Sequence, residues 1–191
     1  MPTLERVQVC WGLVGPLDAA YHDTEWAVPC HDDGALFERL ILEGFQAGLS
    51  WSTILAKREN FRRAFDGWDA HAIAAYGEAD LARLMGDAGI VRNRLKVAGA
   101  VKNARAFLAA QAEYGTFDRY AWSFTGGMPL ARPAPQNMGD VPATTPESDA
   151  MSKGLKKRGF TFVGSTICYA FMQSIGMVND HLASCPARRT D

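Results

Sequence analysis

Apolar residues recur at helical spacing along most of this 191-residue chain, and no segment alternates between apolar and polar residues for long enough to predict a β-sheet. The pattern predicts helices at about 34–47, 51–65, 78–86, 93–114, 117–124, 146–158 and 165–175. We therefore predict an all-α fold. A chain of this length can bury one core, or form two lobes that share one.

A proline-rich segment interrupts this helical pattern. The stretch 129-PLARPAPQNMGDVPATTPESD-149 holds five of the nine prolines, and it ends where Pro146 or Glu147 can begin a capped helix. We expect an extended surface loop, which either separates two helical lobes or is only a long connection.

The charge balance argues against a uniformly basic nucleic-acid binder. The formal net charge is -1, with 48% hydrophobic and 21% charged residues, as in ordinary soluble globular proteins. The first residues, MPTLERVQVCWGLV, lack a basic start followed by a long apolar run, and no window reaches transmembrane length. We expect a cytoplasmic protein with no membrane partner.

The stretch 40-LILEGFQAGLSW-51 places one carboxylate, Glu43, in a run that is otherwise apolar or small. Helical geometry puts Glu43 three residues after Leu40, on or at the edge of the apolar face. Burying an unpaired carboxylate is costly or raises its pKa, so we expect a cation, a ligand or a cavity beside it. The alternative is a boundary glutamate that reaches water past Gly44. Glu38 falls toward the polar side of the same helix, and we expect it to be solvated.

Two glycine-bounded turns lie beside basic residues. The first, 86-GDAGIVRNR-94, offers a turn followed by a helix N-terminus, where backbone N–H groups can bind a phosphate. The second, 159-GFTFVGST-166, follows a run of lysines. Either turn alone could be an ordinary helix corner closed by a C-cap glycine. With the basic side chains beside them, we interpret both as turns that face DNA.

The chain has four cysteines and four histidines, and one pair has the spacing of metal ligands. His181 and Cys185 lie four residues apart, so one turn of helix would place both on one side. A second pair could come from Cys10 and His22. Two cysteines and two histidines would fill a tetrahedral zinc site and leave no open position for water, so such a zinc ion would be structural. The alternative is a chance His-x-x-x-Cys spacing.

Taken together, these residues resemble the bacterial 3-methyladenine DNA glycosylase I family, of the helix-hairpin-helix glycosylase superfamily. The resemblance covers nearly the whole chain in order. Its motifs are 21-YHDTEWAVP-29, 42-LEGFQAGLSW-51, 86-GDAGIVRNR-94, 122-WSF-124, 152-SKGLKKRGFTFVGSTICYAFMQ-173 and 178-VNDH-181, followed by Cys185.

The resemblance implies one glycosylase domain over 1–191, built as a two-lobed helical fold. One lobe would span about 40–125 with the hairpin near 86–94, and the N- and C-terminal segments would form the second, joined by the zinc site. The base pocket would lie between the lobes. The resemblance also implies one structural zinc ion per chain, with ligands at Cys10, His22, His181 and Cys185.

The implied activity is hydrolysis of the N-glycosidic bond of 3-methyladenine in alkylated double-stranded DNA by a monomer, without a lyase step. The free base would leave, and an abasic site would remain. Glu43 would be the catalytic residue at the pocket floor and would contact the polar edge of the flipped base, with Trp51 stacking on the base and Tyr21 lining the wall. The DNA-binding residues implied are Gly48 and Leu49 in the turn that enters the duplex, and Gly89, Val91, Arg92 and Arg94 in the hairpin.

The chain departs from the family pattern near its start. Asp18 stands where an aromatic residue is usual, and Trp11 follows Cys10 directly in a loop that is one residue short. Trp11 and Phe45 could compensate by turning into the pocket. Two other functions therefore stay open: a non-catalytic zinc-stabilised module that binds damaged DNA, with a pocket spoiled by Asp18, and a zinc hydrolase acting on a small molecule.

Overall fold

The computed structural model describes residues 10–11 and 15–188, and it confirms the all-α prediction. No strand occurs in these two ranges. The α-helices described there are α1 (Pro16–Thr24), α2 (Asp33–Gln46), α3 (Trp51–Ala64), α4 (Ala70–Ala74), α5 (Glu78–Gly86), α6 (Arg94–Tyr114), α7 (Phe117–Trp122), α8 (Pro146–Lys157) and α9 (Ser165–Ser174). None of them combines the length and apolar character that a membrane span needs.

The sequence predicted seven of these helices with small errors at their ends. It missed α1, which begins with a proline in its first turn and shows no clear apolar period along its residues. It also missed α4, which has only 5 residues. The predicted helix 117–124 is in fact α7 followed by a 3₁₀ turn at Ser123–Thr125. The errors therefore fall on short helices and helix ends, where periodicity carries little information.

Helix α2 lies at the centre of the fold and packs against α3, α6, α7 and α9. The Asp32 side chain caps its N-terminus by accepting a hydrogen bond from the Ala35 amide at 2.8 Å. The Asp33 carboxylate accepts from the amides of Phe117 and Asp118 at 2.8 and 2.7 Å. One short acidic pair thus starts α2 and fixes it to the start of α7.

The proline-rich segment packs against the C-terminal part of the chain. The Leu130 amide donates to the Met177 carbonyl at 2.8 Å, and the Ala183 amide donates to the Pro135 carbonyl at 2.9 Å. The segment then ends at Thr145, whose side chain caps α8. It is therefore a fixed connection across the surface of the molecule.

A second, smaller apolar cluster joins the two ends of the described chain. It is separate from the main core around α2 and consists of Cys10, Tyr21, Trp26, Ala27, Leu55, Leu182 and Cys185. Because α1 and the C-terminal turn meet here, this cluster brings residues from both ends of the sequence next to α3.

The prediction that Glu38 is solvated is wrong. Glu38 is buried, and its carboxylate accepts hydrogen bonds from Arg58 Nε at 2.8 Å and Arg62 Nη2 at 3.1 Å. Arg58 also donates to Glu25 at 2.8 Å. The polar face of α2 is therefore covered by basic residues of α3, which the periodicity of α2 alone could not reveal.

We expect Glu38→Gln to lower the free energy of unfolding by about 2–3 kcal/mol, because it leaves two guanidinium groups with one carboxylate fewer. The loss is smaller than for a fully buried pair, since Arg58 keeps its bond to Glu25. Urea unfolding checks it. The matched control is Glu59→Gln, whose exposed ion pair with Arg62 should contribute about 0.5 kcal/mol or less. Equal effects of the two changes would contradict the assignment.

Candidate active site

A cavity of about 280 Å³ opens where α1, α2, α3 and α9 meet. Glu43 and Gln46 of α2, Tyr21 of α1 and Trp51 of α3 all line it. The three residues that the sequence predicted to contact a base, Glu43, Tyr21 and Trp51, are therefore brought together in one cavity.

The Glu43 side chain is buried, at 4% exposure, and its carboxylate has no hydrogen bond or ion pair with any residue in the described ranges. Burial raises the pKa of Glu43 from 4.5 to about 8, and the positive charge of Arg39 opposes this rise. Arg39 itself is held one turn earlier on α2 by the Ser174 carbonyl and by Glu25. Among the described residues, then, no cation or hydrogen-bond donor pairs directly with this carboxyl group.

Aromatic rings form the wall beside Glu43. The rings of Tyr21 and Trp51 lie 5.2 Å apart between centroids, at an interplanar angle of 50°. Within the described part of the chain, Tyr21 Oη, Trp51 Nε1 and Trp11 Nε1 are buried and have no hydrogen-bond partner. Buried polar groups of native proteins are nearly always paired, so three unpaired donors around one cavity indicate a ligand site.

Helix α9 supplies the opposite wall, which the sequence prediction missed. Thr166, Tyr169, Ala170 and Gln173 line the cavity at the spacing of one helix face. The hydroxyl of Tyr169 and the amide of Gln173 both donate to the Asp180 carboxylate. The same spacing is typical of a core helix, so the pattern alone does not distinguish a pocket wall from a packed face.

The proline-rich segment closes the cavity from a third side. Met138, Val141, Pro142 and Ala143 line it. The prediction of a surface loop was therefore incomplete, since the inner side of that loop belongs to the cavity.

Asp18 does not line the cavity. Its buried carboxylate accepts a hydrogen bond from Ser52 Oγ at 2.6 Å, which ties α1 to the start of α3. Trp11 lines the cavity, as the sequence suggested it could. The suggestion for Phe45 is wrong, because Phe45 is buried against Phe61 in the core, with ring centroids 4.7 Å apart. The unusual Asp18 thus leaves the cavity open, while residues 12–14 of the shortened loop lie outside the described ranges.

The structure brings the four predicted metal ligands into one buried cluster. One donor atom from each of Cys10, His22, His181 and Cys185 lies within 4.8 Å of every other. The prediction of a helical turn at 181–185 is wrong, because a turn closed by the Cys185 amide and the Leu182 carbonyl replaces it. This turn still places Cys185 Sγ 3.4 Å from His181 Nδ1.

These distances fit a tetrahedral metal ion. With ordinary zinc–sulfur and zinc–nitrogen bond lengths, a tetrahedron places sulfur and nitrogen ligands about 3.6 Å apart. Cys10 Sγ lies 3.7 Å from His181 Nδ1, and Cys185 Sγ lies 3.7 Å from His22 Nε2. Two cysteines and two histidines also form a donor set typical of structural zinc.

The outer nitrogen of each histidine has an acceptor that orients the ring. His22 Nδ1 lies 2.7 Å from the Asp23 carboxylate, and His181 Nε2 lies 3.4 Å from the Trp26 carbonyl. Each contact leaves the other ring nitrogen free to face the cysteines. Trp26 lines the cavity as well, so the cluster lies directly behind the cavity wall.

The residues predicted to bind DNA lie in two exposed turns. Gly48 has φ +82°, a conformation that favours glycine, and it exposes the neighbouring Leu49 to 41%. The second turn, 87–93, connects α5 to α6 and contains Gly89 and the half-buried Val91, with the exposed Arg92 in the turn and Arg94 at the first position of α6. Neither turn lines the cavity.

A family model described as methyladenine glycosylase matches residues 11–189 of the chain. DNA-3-methyladenine glycosylase 1 of Escherichia coli (strain K12) is 49% identical over 175 residues, which cover 92% of this chain and 93% of the relative.

Solved structures of 3-methyladenine DNA glycosylases I also superpose on the chain. The crystal structure of a 3-methyladenine DNA glycosylase I superposes with a TM-score of 0.90 at 48% identity, covering 94% of this chain and 98% of that one. A variant of 3-methyladenine DNA glycosylase I in complex with 3-methyladenine superposes with a TM-score of 0.92 at 32% identity, covering 96% and 98%.

The raised pKa of Glu43 predicts how stability depends on pH. Between its ordinary value of 4.5 and about 8, the folded protein holds a proton that the unfolded chain has lost, so stability falls as pH rises. Glu43→Gln carries no such proton. Its free energy of unfolding, measured in urea, should therefore exceed that of wild type by an amount that grows to a few kcal/mol near pH ~8 and then stays constant.

The control for this prediction is Glu113→Gln. Glu113 is an exposed partner of Arg158, whose hydrogen bond lowers the pKa of that carboxyl. The difference in free energy of unfolding between Glu113→Gln and wild type should not grow between pH ~5 and ~8. A constant difference for Glu43→Gln over the same range would show that the Glu43 carboxyl is already ionised there.

Proposed function

The chain belongs to the methyladenine glycosylase family, and we propose that it hydrolyses the N-glycosidic bond of 3-methyladenine in alkylated double-stranded DNA. The free base leaves, and an abasic site remains in the DNA. The observation that carries this proposal is the unpaired Glu43 carboxyl in a cavity walled by aromatic rings. The complex of a structural relative with 3-methyladenine supports it.

The cavity suits a cationic base better than a neutral one. Alkylation at N3 gives adenine a positive charge, and a carboxylate about 4 Å away attracts it by roughly 4 kcal/mol at an effective dielectric constant near 20, before desolvation. The same attraction favours ionisation of Glu43 when the cation enters. Ordinary adenine gains nothing comparable. Glu43 therefore selects the lesion by charge.

The aromatic walls hold the base in place. Stacking on an aromatic side chain contributes about 1–3 kcal/mol per base, and it makes no distinction between base identities. Trp51 provides the stacking surface, while Tyr21 Oη and Trp11 Nε1 are unpaired donors that can hydrogen-bond to the polar edge of the base. Affinity thus comes from the rings, and selectivity comes from Glu43.

The chemistry needs little help from acid catalysis. When the bond between the sugar and N9 breaks, its electron pair goes to the base, which leaves as neutral 3-methyladenine without prior protonation. Water adds to C1′ of the sugar and loses a proton. A lyase step needs an amine nucleophile. No lysine lines the cavity within the described ranges, so we propose a hydrolase without that step.

The two exposed turns are the proposed contacts with the duplex. A base cannot enter the cavity while it is stacked, and flipping it out leaves a gap that another group must fill. Leu49, presented by Gly48, is an exposed apolar side chain that can fill it. Gly89, Val91, Arg92 and Arg94 would hold the backbone through amide and guanidinium groups. We propose that the protein does this as a monomer.

Release of 3-methyladenine from methylated duplex DNA tests the function. We expect wild type to release the base and Glu43→Gln to lose about 100-fold in kcat/KM, because the charge attraction is lost. Absence of release by wild type would favour a non-catalytic binding module. Release by Glu43→Gln at the wild-type rate would overturn the role of the carboxylate.

The pH dependence gives a second readout of the same group. Ionised Glu43 is the form that attracts the cation. The kcat/KM of wild type should therefore rise with pH and level off above about 8, which is the pKa of Glu43 in the free protein. The residual activity of Glu43→Gln should show no such rise. A flat wild-type profile would contradict the assignment.

We also propose that Cys10, His22, His181 and Cys185 hold one structural zinc ion. The four donors leave no open coordination position, so the ion supplies no water for hydrolysis. Its proposed role is to tie α1 to the C-terminal turn behind Tyr21 and Trp26. A zinc hydrolase acting on a small molecule is disfavoured for the same reason.

Metal analysis of purified protein tests this second proposal. We expect about one zinc per chain in wild type and much less in Cys185→Ser, together with a lower Tm, since folding energy is linked to the metal. Cys30→Ser, a cysteine outside the cluster, is the matched control and should keep its zinc. Below its Tm, Cys185→Ser should retain base release. Full zinc content in Cys185→Ser would contradict the ligand assignment.

A further inference from the structure

Lys96 is a buried lysine whose position the proposed reaction does not explain. It lies in the first turn of α6 at 8% exposure, and burial lowers the pKa of its ammonium group. Its Nζ donates to the Phe45 carbonyl at 2.8 Å and to the Ala47 carbonyl at 2.5 Å. Both acceptors lie at the C-terminal end of α2, directly before Gly48.

This contact fixes the turn that exposes Leu49. The last carbonyls of a helix lack partners within the helix, and they carry the negative end of its dipole. A lysine ammonium donates hydrogen bonds to these carbonyls and also places a positive charge at the negative end of the dipole. The Leu49 amide closes the turn on the Gln46 carbonyl at 2.6 Å, so the ammonium group holds the rim from which Leu49 projects.

A second lysine makes the reverse connection. Lys57 of α3, the helix that follows Leu49, donates from Nζ to the carbonyls of Ala88 and Gly89 at 3.1 and 3.2 Å. Asn60, one turn later on α3, donates to the same Gly89 carbonyl at 3.2 Å. These carbonyls belong to turn 87–93. The helix after each exposed turn therefore holds the other turn.

We propose that Lys96 and Lys57 are positioning residues that fix the Leu49 turn and turn 87–93 as one rigid unit, so that binding the DNA backbone at one turn drives Leu49 into the duplex at the other. This inference rests on the proposed function, because it assigns a step of base flipping to these contacts. Neither lysine lines the cavity, so the coupling acts on opening of the duplex and leaves recognition of the base to Glu43.

The alternative is that the lysines only stabilise the fold. A stability effect reduces the amount of active protein and lowers activity on every substrate by the same factor. A positioning effect is largest where opening the duplex is hardest, because a displaced wedge no longer offsets the cost of unstacking. Lesions in a fully paired duplex and lesions opposite a mismatch therefore distinguish the two roles.

The test uses Lys96→Met, Lys57→Met and the control Lys102→Met in the full chain. Lys102 is an exposed lysine of α6, so its replacement removes the same charge from the same helix without touching either turn. Three quantities are measured: excision of 3-methyladenine from paired and mismatched duplexes, affinity for the free base, and fluorescence of 2-aminopurine beside a stable abasic analogue, which reports opening of the duplex.

We expect Lys96→Met to lose about 10- to 100-fold in excision from the paired duplex and less than about threefold from the mismatched one. Its 2-aminopurine signal should fall, while its affinity for the free base should stay within about twofold of wild type. Lys57→Met should follow the same pattern, and Lys102→Met should match wild type. Equal losses on both duplexes, or no loss, would overturn the proposal.

Two further outcomes remain decisive. Loss of binding to the free base would reveal that Lys96→Met is misfolded. In that case Lys57→Met, whose contacts are less buried, is judged by the same comparison of paired and mismatched duplexes. If wild type releases no base at all, the proposed function fails, but the 2-aminopurine signal still reports opening. If the 2-aminopurine signal of Lys96→Met then equals that of wild type, the proposed coupling is overturned. If Lys96→Met loses the signal, the coupling is supported.

Discussion

One buried carboxyl group without a direct partner in the described residues lies in the cavity where α1, α2, α3 and α9 meet. Glu43 lies buried in the last turn of the central helix, where a charge is unfavourable unless a cation or a hydrogen-bond donor lies beside it. Five residues earlier on the same helix, Glu38 is also buried, but Arg58 and Arg62 neutralise it. Both glutamates lie on the same helix and are buried to a similar degree, so they differ mainly in their partners. The protein compensates the charge that only stabilises the fold, and it leaves Glu43 uncompensated beside a cavity.

The two ends of the described chain complete the environment of Glu43. Tyr21 and Trp26 come from the N-terminal part, and the turn at 181–185 lies behind them. Helix α9 faces them, held through Tyr169 and Gln173 by Asp180, the residue before His181. Both walls of the cavity are therefore connected to the cysteine and histidine cluster.

The sequence predicted the helices whose apolar period is long, and it predicted those site residues that stand out chemically. Glu43 is detectable because an acid in an apolar run violates the local pattern. Tyr169 and Gln173 were not detected, because aromatic and amide residues on an apolar helix look the same in a core and in a pocket wall. The burial of Glu38 was not predicted because its partners, Arg58 and Arg62, lie on a different helix, α3. Sequence periodicity describes one helix at a time, whereas burial depends on what packs against it.

Helix α2 carries the residue proposed to select the base, and it leads into the turn proposed to open the duplex. Glu43 lies in the last turn of this helix, which ends at Gln46, and only Ala47 separates that end from Gly48. If Leu49 enters a duplex as proposed, a displaced base would therefore meet Glu43 only a short way along the chain from the gap it leaves. The proposed role of the lysine contacts is therefore limited to the end of α2 and the opening of the duplex, while recognition of the base stays with Glu43.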